Sequence, residues 1–132
     1  MKKLLIIEDD VVLLTELEAK FRVADFQVYA FTGAETIREI ADYVKVDKPD
    51  YIILDLILPN IDGRDLLHAI KGDEEIFTTP VIVFSDFSEE DVRVRCHNLG
   101  ADYYFVKNDL IVDDFVAKVK RIINNREKRY HE

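Results

Sequence analysis

A single cysteine, Cys96, is all the thiol in 132 residues. Neither an internal disulfide nor a multi-cysteine zinc site can form, which fits a reducing cytoplasm. Long apolar runs are missing as well. No stretch approaches the ~18–20 residues that a membrane helix needs. Met1-Lys2-Lys3 leads into only four apolar residues before Glu8, too few for a signal peptide. Positive charge is scarce: 18 basic against 27 acidic side chains give a net charge of −9. Phosphate backbones select basic surface, so direct nucleic-acid binding is disfavoured. The histidines His68, His97 and His131 have no partner spacing for a metal. No repeat, low-complexity stretch or linker interrupts residues 1–123.

What is present suits one domain. A hydrophobic fraction of 48% supports a packed core at this length. The charge is uneven, because residues 118–132 carry six basic and two acidic side chains while residues 1–117 carry an excess of acid. The plain reading of that tail is a solvated last helical stretch with cations at the negative end of its dipole. The other reading is a binding patch or the start of a linker.

Along the chain, short apolar runs alternate with helical patterns. Leu4 to Ile7, Phe26 to Phe31, Tyr51 to Leu54, Val81 to Phe84 and Tyr103 to Val106 read as five strands. Leu14, Leu17, Phe21 and Ala24 share one helical face. Thr32 and Glu35 have capping-box spacing ahead of a helix with Ala34, Ile37, Ile40, Ala41 and Val44 on its buried stripe. A third helix runs through Leu66, Leu67 and Ile70 to Gly72. The fourth starts in Ser88-Glu89-Glu90-Asp91, and Gly100 closes it. Asn108 or Asp109 is expected to cap the fifth, which repeats Val112, Phe115, Val116, Val119, Ile122 and Ile123 at helical spacing. Strands apolar on both faces need helices on both sides. The expected fold is therefore α/β, with a doubly wound five-stranded parallel sheet.

In such sheets ligands bind at the carboxyl ends of the strands. Those ends carry Glu8-Asp9-Asp10, Asp55, Ser85 and Lys107. Each has a plain alternative: Asp10 as a helix cap, Glu8, Asp9 and Asp55 as loop acids, Lys107 as a solvated cation. Adjacent carboxylates repel one another unless a cation sits among them. Hard oxygen donors without His or Cys select Mg²⁺ or a similar ion. Asp9 and Asp55 holding that ion, with Lys107 and Ser85 nearby, make a sufficient set for phosphoryl transfer, and Asp55 is the candidate nucleophile.

The chain resembles a response-regulator receiver domain over roughly residues 3–123. The likeness rests on Leu5-Ile6-Ile7-Glu8-Asp9-Asp10, Leu54-Asp55-Leu56-Ile57-Leu58-Pro59 with Asp62-Gly63, Val81 to Ser85, and Gly100 to Lys107. It implies a flavodoxin-like strand order 2-1-3-4-5, with a receiver domain at 1–125 and a basic tail at 126–132. It implies that Asp55 is the phosphoacceptor, and that Glu8, Asp9, Asp55 and the backbone carbonyl of Ile57 serve Mg²⁺. Ser85 would be the switch hydroxyl, Lys107 the cation on the phosphoryl group, and Tyr104 rather than Tyr103 the aromatic that changes exposure. The implied donor is a sensor histidine kinase or phosphotransfer protein. The implied output is a protein target on the face of the fourth helix, fifth strand and fifth helix, and a homodimer is compatible with the sequence. Self-phosphorylation from a phosphodonor and autodephosphorylation are the only catalysis expected.

Two positions depart from the family pattern. Asn108 follows Lys107 where the family usually has proline after a cis bond, and a non-proline cis bond costs ~2.5–4 kcal/mol. Asp86 follows Ser85 where a small residue is usual. Both favour the alternative of a phosphorylation-independent binding module. An aspartyl phosphatase commonly needs a second acid two residues after its nucleophile, and Ile57 stands there. A flavodoxin-like cofactor binder is poor, because no hydroxyl- and glycine-rich phosphate loop follows the first strand. With no effector domain in view, output is expected from a partner or from sequence not shown.

Overall fold

The computed structural model describes residues 1–131, with side chains through Arg129. The end of the basic tail, including the His131 side chain and Glu132, lies outside the described residues. Strands and helices alternate as β1 (Lys3–Ile7), α1 (Val11–Val23), β2 (Gln27–Phe31), α2 (Ile37–Asp47), β3 (Tyr51–Leu54), α3 (Gly63–Lys71), β4 (Val81–Ser85), α4 (Glu90–Asn98), β5 (Tyr103–Val106) and α5 (Val112–His131). All strands are parallel, in the order β2-β1-β3-β4-β5. The expected doubly wound fold is the one observed.

Period-two alternation sorts the central strands between two cores. Leu5, Ile7, Ile52, Leu54, Val81 and Val83 face α2, α3 and α4, where they meet Ile40, Val44, Leu66, Leu67 and Cys96. Leu4, Ile6, Ile53, Ile82 and Phe84 face α1 and α5, meeting Leu14, Leu17, Phe21, Phe115 and Val119. Only the central strands β1, β3 and β4 are fully buried on both faces over most of their length. At the edges β2 exposes Gln27 and Tyr29, and Tyr103 to Phe105 of β5 are half-buried.

Two local expectations shift. The capping box belongs to Thr36 and Glu39, four residues later than Thr32 and Glu35. Gly33, at φ 85°, turns the chain in the left-handed region first, and Glu35 accepts from the Gly33 N–H, so Ala34 stays exposed outside the helix. Asn108 and Asp109 do not cap α5. They lie in a 3₁₀ turn (Lys107–Asp109), and Leu110 then returns to extended backbone before α5 begins. α4 starts at Glu90, inside the expected segment from Ser88 to Asp91, with Glu89 as its N-cap and no side-chain cap hydrogen bond.

α5 runs unbroken along one side of the molecule. Near its start Asp113 pairs with Lys20 of α1, and near its end Glu127 accepts from the Tyr51 hydroxyl and pairs with Lys2.

Candidate functional site

Each central strand ends by changing from buried apolar residues to a polar group, and parallel order brings those ends to one rim. β1 delivers Glu8 and Asp9, β3 delivers Asp55, β4 ends on Ser85, and β5 leads into Lys107. Asp10 is the N-cap of α1, its Oδ1 accepting from the N–H groups of Val12 and Leu13 at 3.1 and 3.2 Å. It is thus committed to the backbone while its neighbours face the rim.

Glu8, Asp55 and Ser85 are buried, at 2%, 4% and 0% exposure, whereas Asp9 is exposed. Buried carboxylates need partners. Lys107 supplies them, its Nζ lying 2.7 Å from Glu8 Oε1 and 2.9 Å from Asp55 Oδ2. The Asp10 N–H donates to Glu8 Oε2, and the Ile57 N–H donates to Asp55 Oδ1 at 3.2 Å. Burial pushes Glu8 up to about 7, outweighing the hydrogen bond from Lys107. Burial works against the Lys107 charge too, but the two carboxylates prevail and hold its pKa above the ordinary value.

One ammonium does not balance three acids. Carboxylate oxygens of Glu8, Asp9 and Asp55 all lie within 4.8 Å of one another. Opposite ligands of an octahedral Mg²⁺ stand about 4.2 Å apart, so oxygens within 4.8 Å of one another need only a small side-chain adjustment to meet on one such ion. The donor set, oxygen throughout, suits a hard cation and nothing softer.

The β3 end is held from below. Gly63 opens α3 so close beneath it that a Cβ there would sit 2.4 Å from Leu56 Cα and 2.6 Å from the Asp55 carbonyl oxygen. Its N–H donates to the Leu56 carbonyl at 2.9 Å. Asp62 caps the same helix and holds Arg64 through two side-chain bonds, at 3.1 and 2.8 Å.

On the β4 side, the Phe87 N–H donates to Ser85 Oγ at 3.3 Å, and the Phe87 carbonyl accepts from the Tyr104 hydroxyl at 2.7 Å. The guanidinium of Arg64 lies 5.5 Å from the Phe87 ring centre, and that of Arg93 lies 5.5 Å from the Tyr104 ring centre. Tyr104 therefore faces the loop after β4, while Tyr103 lies in the opposite core. Phe87, which joins Ser85 to Tyr104, carries no polar signal in the sequence. Its position two residues past a strand-end hydroxyl is the only clue.

The two departures take definite places. No cis peptide bond occurs among the described residues, and Lys107 reaches both carboxylates all the same. Asp86 is exposed.

A doubly wound sheet whose rim gathers three acids, a hydroxyl and a lysine defines a class: α/β domains that handle phosphoryl groups at strand ends. Comparison with known proteins names the family. Residues 4–120 match the model of the response regulator receiver domain. The transcriptional regulatory protein PrrA of Mycobacterium tuberculosis is 34% identical over 126 residues, covering 94% of this chain and 51% of that protein. A two-component response regulator from Clostridium difficile superposes with a TM-score of 0.80 at 26% identity, covering 94% of this chain and 97% of that one. A CheY-like receiver domain from Methanospirillum hungatei, at 22% identity, shares the fold with a TM-score of 0.82 over 98% of both chains. The chain belongs to the response-regulator receiver domains, the phosphoacceptor switches of two-component signalling. It spans about half the length of the curated relatives it matches. Family and fold together favour the phosphoacceptor reading over a phosphorylation-independent binding module.

Proposed function

We propose that Asp55 is the phosphorylated side chain. The observation that carries this is a nearly buried carboxylate at the end of β3, held by Lys107 at 2.9 Å with Glu8 and Asp9 beside it. The donor is a phosphohistidine of a sensor kinase or phosphotransfer protein. Its P–N bond breaks, a P–O bond forms to Asp55, and the imidazole keeps the electron pair and is left to take a proton. The product is an acyl phosphate. Phosphoryl transfer needs positioning and charge neutralisation more than covalent help, and this rim supplies both.

Asp9, Asp55 and the Ile57 carbonyl would hold Mg²⁺, with Glu8 acting mainly through water. When bound, the ion neutralises charge on the phosphoryl oxygens. Lys107 provides a second positive charge that can pass from Asp55 to the incoming group. Ser85 exchanges its contact with the Phe87 N–H for one with the phosphoryl group, and Tyr104 responds through Phe87. The face of α4, β5 and α5 then changes its affinity for a protein target, a population shift driven by local charge. Self-phosphorylation from small phosphodonors and autodephosphorylation belong to the same site. We assign the domain to residues 1–125, its tail to 126–132, and its action to the cytoplasm, without direct contact to nucleic acid or membrane.

The test is incubation with acetyl phosphate and Mg²⁺, read by intact mass and Phos-tag mobility. Wild type gains one phosphoryl group and Asp55→Ala gains none. An Asp55→Ala chain that is labelled as well as wild type overturns the assignment.

A further inference from the structure

We infer that Phe84, backed by Phe115, is the positioning residue that holds Lys107 over the site. The inference rests on the proposed role of Lys107, and it follows from the order of the strands. Lys107 leaves β5, but its partners Asp55 and Glu8 sit at the ends of β3 and β1. β4 lies between, so the lysine stem must cross the end of β4. Two strand spacings amount to about 10 Å. A flexible four-carbon stem holds such a reach only if something orders it.

Alternation decides what lies beneath the stem. In β5, Tyr103 and Phe105 point into the core shared with α1 and α5, and Lys107, entering the 3₁₀ turn after an extended Val106, leaves the strand on the same side. In β4 the residue on that face at the strand end is Phe84, paired in register with Phe105. The Lys107 Nζ lies over the Phe84 ring, 5.9 Å from its centre, inside the range where a cation is drawn to an aromatic face. Phe84 itself cannot drift. Its ring stacks on Phe115 of α5 at 3.7 Å and 5°, and Phe105 meets Phe115 edge-on at 5.7 Å. Phe84 is 2% exposed and Phe115 fully buried. The ammonium thus has two carboxylates and an aromatic surface as its surroundings. A chain with Asn108 after the lysine holds it through this aromatic floor.

The test compares Phe84→Leu and Phe84→Met with Phe21→Leu, which removes a buried ring from the same core on the α1 side. The readouts are the Lys107 ammonium correlation in lysine-selective ¹⁵N spectra without metal, and the rate of phosphorylation by acetyl phosphate with Mg²⁺. Both Phe84 variants are expected to broaden or lose the ammonium signal and to slow phosphorylation roughly three- to tenfold, the scale of a partly desolvated cation–aromatic contact. Phe21→Leu, though less stable than wild type, keeps both. An unchanged ammonium signal in the folded Phe84 variants overturns the inference, as does an equal loss in Phe21→Leu. Should neither Phe84 variant fold, Phe115→Leu takes their place with the same two outcomes. If wild type takes no phosphoryl group, the proposed function fails, while the metal-free spectra still decide the role of Phe84.

Discussion

The Tyr104 hydroxyl donates a 2.7 Å hydrogen bond to the Phe87 carbonyl, fastening β5 to the loop that follows β4. The same Phe87 returns its N–H to Ser85 Oγ, so the two side chains meet through one loop residue. Burial pushes the Tyr104 phenol up to about 12, which keeps it a donor across the physiological range.

Tyr104→Phe removes the donor and leaves the carbonyl to find water. The expected cost is about 0.5–1.5 kcal/mol, the usual net worth of such a bond. Amides of residues 85–89 should exchange faster by hydrogen–deuterium exchange, with Asp55 phosphorylation still present. Unaltered exchange in that loop would show that the bond does not order it.

Gly63→Ala should be far more harmful than its chemistry suggests. The new Cβ falls 2.4 Å from Leu56 Cα and 2.6 Å from the Asp55 carbonyl, and backbone cannot yield as a flexible side chain does. Overpacking of this kind costs about 1–3 kcal/mol. Phosphorylation should fall with it, because Asp55 is carried by the displaced segment. Gly72→Ala meets only the His68 carbonyl at 3.0 Å and serves as the milder control. Chemical denaturation and intact mass read both.

Without metal, Glu8 makes stability fall as pH rises. Burial lifts its pKa from 4.5 to about 7, so the folded state binds the proton more tightly than the unfolded chain does. That contribution is complete below 4.5 and is lost as pH rises through about 7. Glu8→Gln, neutral throughout, should flatten this slope. Urea melts at several pH values in chelator give the comparison, and parallel slopes for the two proteins would refute it.

Lys48→Gly should stabilise. Lys48 ends α2 at φ 53°, in the left-handed region that costs a residue with a Cβ roughly 1–2 kcal/mol. Glycine adopts it freely, though part of the gain is returned as unfolded-chain entropy. A rise in melting temperature of about 2–5 °C is expected. No rise would mean that the Lys48 side chain makes compensating contacts.

Much of the rim can be read from sequence because buried parallel strands are continuous apolar runs. Each run stops where the chain meets the ligand side, so Glu8, Asp55, Ser85 and Lys107 announce themselves as the first polar residues past Ile7, Leu54, Phe84 and Val106. What pattern cannot supply is the choice between equivalent local signals. Thr32/Glu35 and Thr36/Glu39 have the same spacing, and only the left-handed turn at Gly33, seated against Leu58 and Pro59, selects the second. Nor can it supply partners that topology brings in. Nothing in Gly63 tells of the Asp55 carbonyl beneath it, and nothing in Phe84 tells of a lysine 23 residues ahead.

α5 is fastened at both ends of the sheet, by Asp113 to Lys20 near the acidic rim and by Glu127 to Lys2 and Tyr51 at the far side. Its 20 residues make a rod roughly 30 Å long. Held near both ends, that rod joins the phosphoryl side of the sheet to the opposite edge, so a strain applied at Phe115 is shared with the Glu127 anchor rather than lost in a free end.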